Sequence, residues 1–230
     1  MPKNMQVKDY RTFGIVLRRT NYGEADRILN IITPEGKIAA IAKGARRERS
    51  KLAGGIEMFS LVDLNIHQGK SEFGIVTSAK MIKYYSEILK DYNRMELAAL
   101  ILKKINAASE NLASGEYFEI ANQCLIEINA GADLRLVEGW FWLNLSRVMG
   151  EEMNLYRDKD GQKLEADESY SWSVQDQAFG VSANGEIGVN EIKMLRLMAT
   201  TSLEVAKRVK VSPEMLGILL ALVRVACKVR

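Results

Sequence analysis

The side chains best equipped to act on another molecule are gathered in one short run, residues 42–55, AKGARRERSKLAGG. Lys43, Arg46, Arg47, Arg49 and Lys51 put five cations into nine positions against one acid, Glu48, and glycines stand at 44, 54 and 55. Ammonium and guanidinium groups at this density suit a polyanion, because each phosphate they neutralise releases condensed counterions. A loop framed by glycine can present such charges to a sugar-phosphate backbone without reading its sequence. Lys37, Arg18, Arg19 and Arg27 extend the basic surface. Tyr22, in a turn before them, has a ring able to stack on a base, and equally able to pack its own loop. Arg27 has a second reading, an ion pair with Glu24 or Asp26 that fixes its loop; exposed pairs of that kind add little stability.

Other chemistries lack their residues. Lys43–Gly44 has neither the glycine spacing nor the following Ser/Thr of a phosphate loop, so nucleotide hydrolysis is not expected. The one histidine, His67, leaves no Ser/His/Asp or Cys/His arrangement. The two cysteines, Cys124 and Cys227, fall on apolar helical stripes, where packing is their usual role, and they cannot complete a four-cysteine zinc site. No catalytic residue, metal site or cofactor is expected.

The charge is unevenly placed along the chain that must position it. Residues 1–80 hold 14 Lys+Arg against 8 Asp+Glu, whereas the whole chain of 230 residues is only +3. The 47% hydrophobic and 27% charged content is that of a folded protein rather than a disordered one. Apolar runs fall far short of the 18 or so residues of a membrane span. The first residues lack an apolar signal core, so a cytoplasmic location is expected and a membrane partner is not.

Residues 13–20, 27–33, 37–43, 58–67 and 73–80 read as five short strands. Pro34 and Gly36 mark a hairpin turn between the second and third. In the fourth, Val62, Leu64 and Ile66 alternate with Asp63, Asn65 and His67, the period of a half-buried strand. Phe13, Phe59 and Phe73 are expected in the core, and His67 alone on the solvent face. Five strands without helical periods between them predict a small barrel or sandwich. From about residue 85 the period is helical. Leu97, Leu100, Ile101, Ile105 and Ala108 form one stripe; Tyr117, Ile120, Ala121, Cys124, Leu125 and Ile128 form another. Residues 134–149 predict a central helix, and helices near 190–207 and 213–228 follow, Ser212 capping the last with Pro213 in its first turn. Residues 150–190 are polar, but YSWSV and AFGVS can pair as a small hairpin insertion.

The run GIVLRRTNYGEADRILNIITPEGKIAAIAKGARRERSKLAGGIEMFSLVDLNIHQGKSEFGIVTSAK closely resembles the start of the bacterial RecO family. YGEADRIL, AKGARR…SKLAGG and MFSLVDL carry the match over residues 13–80, and the C-terminal SLEVAKRVKVSPEMLGILLALVRVACK resembles that family more weakly. The resemblance implies an α+β protein. A five-stranded OB-fold β-barrel over residues 1–80 binds nucleic acid, and an α-helical domain over 81–230 carries a small metal-free β insertion at about 150–190. It implies no enzyme. The expected function is DNA repair and recombination: binding single-stranded DNA, annealing complementary strands, and loading RecA, with RecR, onto DNA coated by single-strand-binding protein. Nucleoid association and duplex DNA as a further ligand belong to the same expectation. An OB-fold RNA-binding adaptor is the rival reading. Many relatives carry a four-cysteine zinc module, whereas residues 154–190 here have no cysteine. Asp158, Asp160, Glu165, Asp167 and Glu168 would suit a hard cation, though a solvated acidic loop is expected.

The family also grips the acidic, apolar-ended C-terminal tail of single-strand-binding protein. Three regions have cations beside apolar residues: Arg135 and Arg147 around Trp140–Phe141–Trp142; Lys207, Arg208 and Lys210; and Arg224 and Lys228. Basic residues near helix C-termini also merely complement the helix dipole, and the sequence does not choose among the three.

Overall fold

The computed structural model describes residues 8–110 and 114–227. They fall into two compact units that divide between Asn129 and Ala130. In the first, β1 (Lys8–Tyr22), β2 (Asp26–Thr33), β3 (Gly36–Ala42), β4 (Ser60–Gln68) and β5 (Gly74–Tyr84) close into a barrel in the order β1-β2-β3-β5-β4, with β4 returning to β1. Every neighbour is antiparallel except β3 and β5, which join in parallel through Ala40↔Gly74 and Ile41↔Ile75. This is the five-stranded barrel of the OB-fold.

The alternation read from β4 is the one observed. Val62, Leu64 and Ile66 join Val16, Leu29, Ile31, Ala40 and Val76 in the core. Asp63 outside takes a two-pronged hydrogen bond from Arg11, which holds its carboxyl below the usual carboxylate range, and Asn65 donates to Ser78 Oγ. His67 is not alone: its Nδ1 lies 2.6 Å from Asp9 Oδ1. These cross-strand polar pairs explain why β1 runs past the apolar stretch that marks it in sequence. Its first half pairs with β4 from Lys8 to Ile15, and its second half pairs with β2 from Ile15 to Tyr22.

Phe59 is buried, but Phe13 is not in the barrel core. It is 44% exposed and stands on the outer face, its ring edge-on to Phe118 with centroids 5.5 Å apart. That contact belongs to α2 (Glu116–Ala130), which with α1 (Tyr92–Ala108) completes this unit. The strands give way to helix just after Tyr84, while the compact unit continues to residue 129. Polar pins explain it. Asn30 donates to Asn106 Oδ1 at 3.0 Å, Lys37 Nζ to the Asn106 carbonyl at 2.6 Å, and the Tyr85 hydroxyl to Asn122 Oδ1 at 3.1 Å. Of the two stripes, Tyr117, Ile120, Ala121, Cys124, Leu125 and Ile128 are all buried; on α1 Leu102 takes the buried place expected of Leu100. Burial pushes the Cys124 thiol up, far from reactive thiolate.

The second unit holds α3 (Leu134–Val148), β6 (Tyr170–Ser173), β7 (Ala178–Val181), α4 (Val189–Thr200), α5 (Leu203–Ala206) and α6 (Pro213–Ala226). Helix α3 is central, packed by α4 and α6, and residues 136–146 are buried all round. Trp140 Nε1 donates to the Thr201 carbonyl at 2.9 Å, so that ring is core. The helix expected over 190–207 is broken at Thr201–Ser202, where the Ser202 hydroxyl accepts from Val205 N and starts α5 afresh. Ser212 caps α6 with Pro213 in its first turn. The hairpin insertion is present as β6–β7, with Tyr170 and Phe179 buried beneath it. Among the described residues no helix is long and apolar enough to cross a membrane.

Candidate nucleic-acid interface

The basic run lies in the β3–β4 connection, residues 43–59, and its backbone is folded rather than loose. Ala45 and Ile56 sink into the barrel core, and Leu52 and Met58 pack against it. Gly55 fits where no side chain could, since a Cβ there would lie 2.3 Å from the Ala79 carbonyl oxygen of β5. Arg47 N donates to Gly44 O and Ser50 N to Arg47 O, each at 3.0 Å, coiling the middle of the run into successive turns. The loop is also fastened to the β1–β2 turn. Gly44 N donates to Asp26 Oδ1 at 2.7 Å, Arg46 N to the Ala25 carbonyl at 2.8 Å, and Arg46 Nη1 to the Gly23 carbonyl at 3.2 Å. Gly44 has φ +63°, a left-handed conformation that glycine takes without strain.

This geometry sorts the candidate residues. Lys43, Arg46, Arg47, Arg49 and Lys51 are all exposed, and none makes an ion pair among the described residues. Tyr22 closes β1 beside them, 52% exposed and directly across the turn from Asp26. Arg27, half-buried, lies opposite Asn21 and Ala42. Asp26, one of its two expected partners, is taken by the Gly44 amide. Adjacent strand residues point to opposite faces, which is why Asp26 and Arg27 do not meet. Arg18 is exposed four residues back along β1, opposite Asn30. Arg19 Nη1 lies 2.8 Å from Glu57 Oε2. Lys37 is drawn inward, 13% exposed and shared between Asn106 O and Glu110. The structure therefore gathers the five loop cations and Tyr22 and ties Arg19 and Lys37 into the fold.

In the second unit most candidate cations are already engaged. Arg135 grips Asp133 with both arms and donates to Pro213 O at 3.0 Å. Arg224 makes a two-pronged pair with the buried Glu138, each bond 2.7 Å. Arg208 pairs with Glu204 at 2.7 Å, and Arg147 and Lys207 also have partners. Lys228 lies outside the described residues. Lys210 is different. It borders a groove of about 630 Å³ lined by the apolar Met194, Leu197, Val209, Val211 and Met215, with Lys193 and one acid, Glu191, in the same lining; Glu191 Oε2 accepts the Gly188 amide at 3.0 Å. Lys193 is a groove residue that sequence reading does not single out; its place one position before Met194 and four before Leu197 is the signal that could find it. The insertion does not fit zinc, since residues 150–190 contain no cysteine or histidine. Among the described residues no group of three or more His, Cys, Asp or Glu could hold a metal ion. Asp158 Oδ1 instead accepts from Asp160 N at 2.9 Å and Gln162 N at 2.8 Å, closing a turn.

An OB barrel bearing a fixed cationic loop, followed in the chain by a helical unit, defines the architecture; OB-folds as a class use strand faces and adjoining loops of this kind to hold nucleic acid. The family model described as recombination protein O N terminal matches residues 5–85, and recombination protein O C terminal matches residues 89–230. The chain belongs to the RecO family. It is 33% identical over 153 residues to a DNA repair protein RecO of Roseiflexus sp., an alignment covering 66% of this chain and 54% of the relative. A DNA repair protein RecO of Rubrobacter xylanophilus is 33% identical over 61% of this chain and 57% of its own. One from Dehalococcoides mccartyi is 29% identical over 91% of this chain and 85% of its own. The chain thus spans little more than half the length of the first two.

Proposed function

We propose that this chain is a DNA repair and recombination protein that binds single-stranded DNA on the 43–51 loop of its barrel and brings complementary strands together. The observation that supports this best is the loop itself: five exposed cations without ion-pair partners among the described residues, on a backbone tied to the turn that carries Tyr22. Strands whose phosphates are neutralised repel each other less, so their bases can meet. The protein acts as a mediator, without turnover chemistry. With about four phosphate contacts, the slope of log K against log salt is near −3 for a single strand. Changing Arg46 and Arg47 to Ala flattens that slope by about 1.4 and slows annealing. An unaltered slope with native circular dichroism removes the loop as the site. Tighter binding of structured RNA than of single-stranded DNA supports the RNA-adaptor reading instead.

The same reading assigns residues 1–80 to DNA and residues 81–230 to protein partners: RecR, and the tail of single-strand-binding protein during RecA loading. An acidic tail with an apolar end needs a cation for its carboxylates and an apolar wall for its side chains. The groove edged by Lys193 and Lys210 offers both. In titrations of such a peptide against the full chain, Lys193→Glu with Lys210→Glu abolishes binding. Undiminished binding moves the tail elsewhere.

A further inference from the structure

An acid inside a polyanion-binding surface should weaken it, and Asp26 stands at the root of this one. Its carboxylate faces neither Arg27 nor solvent alone. Oδ1 accepts the Gly44 amide at 2.7 Å, across 18 positions of chain, at the point where the basic loop leaves β3. Gly44 is left-handed there, at φ +63°. Two residues on, Arg46 repeats the attachment through Ala25 O and Gly23 O. Tyr22 is the cross-strand partner of Asp26. One side chain therefore joins the turn that presents the ring to the loop that presents the cations.

We infer that Asp26 is a positioning residue of the nucleic-acid surface: by holding the Gly44 amide it fixes where Lys43, Arg46 and Arg47 stand relative to Tyr22. The inference rests on the reading that the 43–51 loop binds DNA. Without the bond, Gly44 keeps only the Arg47 N–H on its carbonyl, and the loop root is tied to the turn through Arg46 alone. Glycine samples more backbone conformations than any other residue. Ordering of the loop then falls within the binding step and opposes it.

Two effects of removing the carboxylate have opposite signs, and their sizes decide the outcome. Repulsion between one carboxylate and a phosphate about 10 Å away in water is worth about twofold in affinity at most, less with salt screening. Leaving one phosphate of a single strand without its cation costs about fivefold at 0.1 M salt, from a slope of about 0.7 per phosphate. Misplacing one or two of the three cations nearest Gly44 thus weakens binding roughly tenfold, outweighing the relief of repulsion.

The test compares the intact protein with Asp26→Ala, Asp26→Asn and Arg46→Ala/Arg47→Ala, using a labelled poly-pyrimidine oligonucleotide across a salt series. Asp26→Ala is expected to bind roughly tenfold more weakly, with a salt slope shallower by about 1. Asp26→Asn keeps an acceptor oxygen for Gly44 N and loses the charge, so it binds as well as the parent or up to about twofold tighter. Equal or tighter binding by Asp26→Ala overturns the inference, as does weakening by Asp26→Asn to the same degree. If the double arginine variant binds normally, the underlying reading fails and takes the inference with it. If it binds weakly while Asp26→Ala does not, only the inference fails. Should Asp26→Ala not fold, amide exchange in the intact protein decides: the Gly44 amide is protected in the free protein, and exchange at the rate of an exposed amide overturns the assignment.

Discussion

In the barrel unit, the loop of residues 43–51 fixes its main chain and leaves its cationic side chains without carboxylate partners among the described residues, with Gly44 and Arg46 N bound to the neighbouring turn. In the second unit the arrangement is reversed. Arg135, Arg208 and Arg224 are held by carboxylates at 2.6–2.7 Å. The same residue types therefore do different things. A guanidinium facing a carboxylate is an internal bond of the fold, while one on a tethered backbone with no carboxylate opposite is free to meet a phosphate. Local acid content separates them: one acid among the five loop cations, against a carboxylate partner for each of the three helical arginines.

This contrast predicts a double dissociation. Replacing Arg46, Arg47 and Arg49 by Ala should weaken single-stranded DNA binding about a hundredfold at 0.1 M salt, at about fivefold per phosphate, and leave the melting temperature almost unchanged. Arg224→Ala should do the opposite, leaving the DNA salt slope as it was and destabilising the fold. Glu138 would be left buried without its cation; because Arg224 itself is half exposed, the cost is about 2 kcal/mol rather than the full cost of breaking a buried pair. A large DNA defect from Arg224→Ala, with unfolding unchanged, would break the comparison.

A smaller effect tests what holds the barrel to its helices. Burial pushes the Tyr85 phenol up to about 12, from an ordinary value near 10. The folded state thus keeps this proton between pH 10 and 12 while the unfolded chain loses it. Its contribution is complete below pH 10 and declines as pH rises through that window. Tyr85→Phe loses the bond to Asn122 and costs about 1 kcal/mol at pH 7. One pH unit into the window the parent has lost about 1.4 kcal/mol that the variant never had. Denaturant midpoints of the two should therefore converge near pH 11. A gap that stays constant would mean the phenol is not desolvated. Smallest of all, Arg208→Ala, removing an exposed pair with Glu204, should change stability by less than about 0.5 kcal/mol.

Where burial is periodic, the sequence is a good guide. The alternation at 62–67 and the stripe at 117–128 predict the observed core because a single face decides each element. Phe13 misleads because an aromatic on a strand is equally at home under a packed helix, and period alone does not say which face that helix covers. The composition of the loop is legible; its attachment is not. That Asp26 serves Gly44 rather than Arg27 depends on register between segments 18 residues apart, and the β3–β4 connection carries no period to reveal it. Lys193 escapes notice for a similar reason: the groove it borders is completed by residues 209–215, well beyond its own helix.

The parallel join of β3 to β5 has consequences in time. It is made by two residue pairs, where β1 and β4 share eight. A closed barrel opens where fewest bonds must break together, and local openings set the rates at which amides exchange with solvent. Because successive amides of a strand point to opposite edges, only those of β3 and β5 that face this seam, rather than β2 or β4, should exchange before those of the β1–β4 ladder. The loop of residues 43–59 leaves from the end of β3, and its Gly55 lies against Ala79 of β5, so it spans this seam. A strand of DNA held across the loop would slow the opening of the barrel beneath it, and exchange of the amides that face the β3–β5 seam would report binding from inside the core.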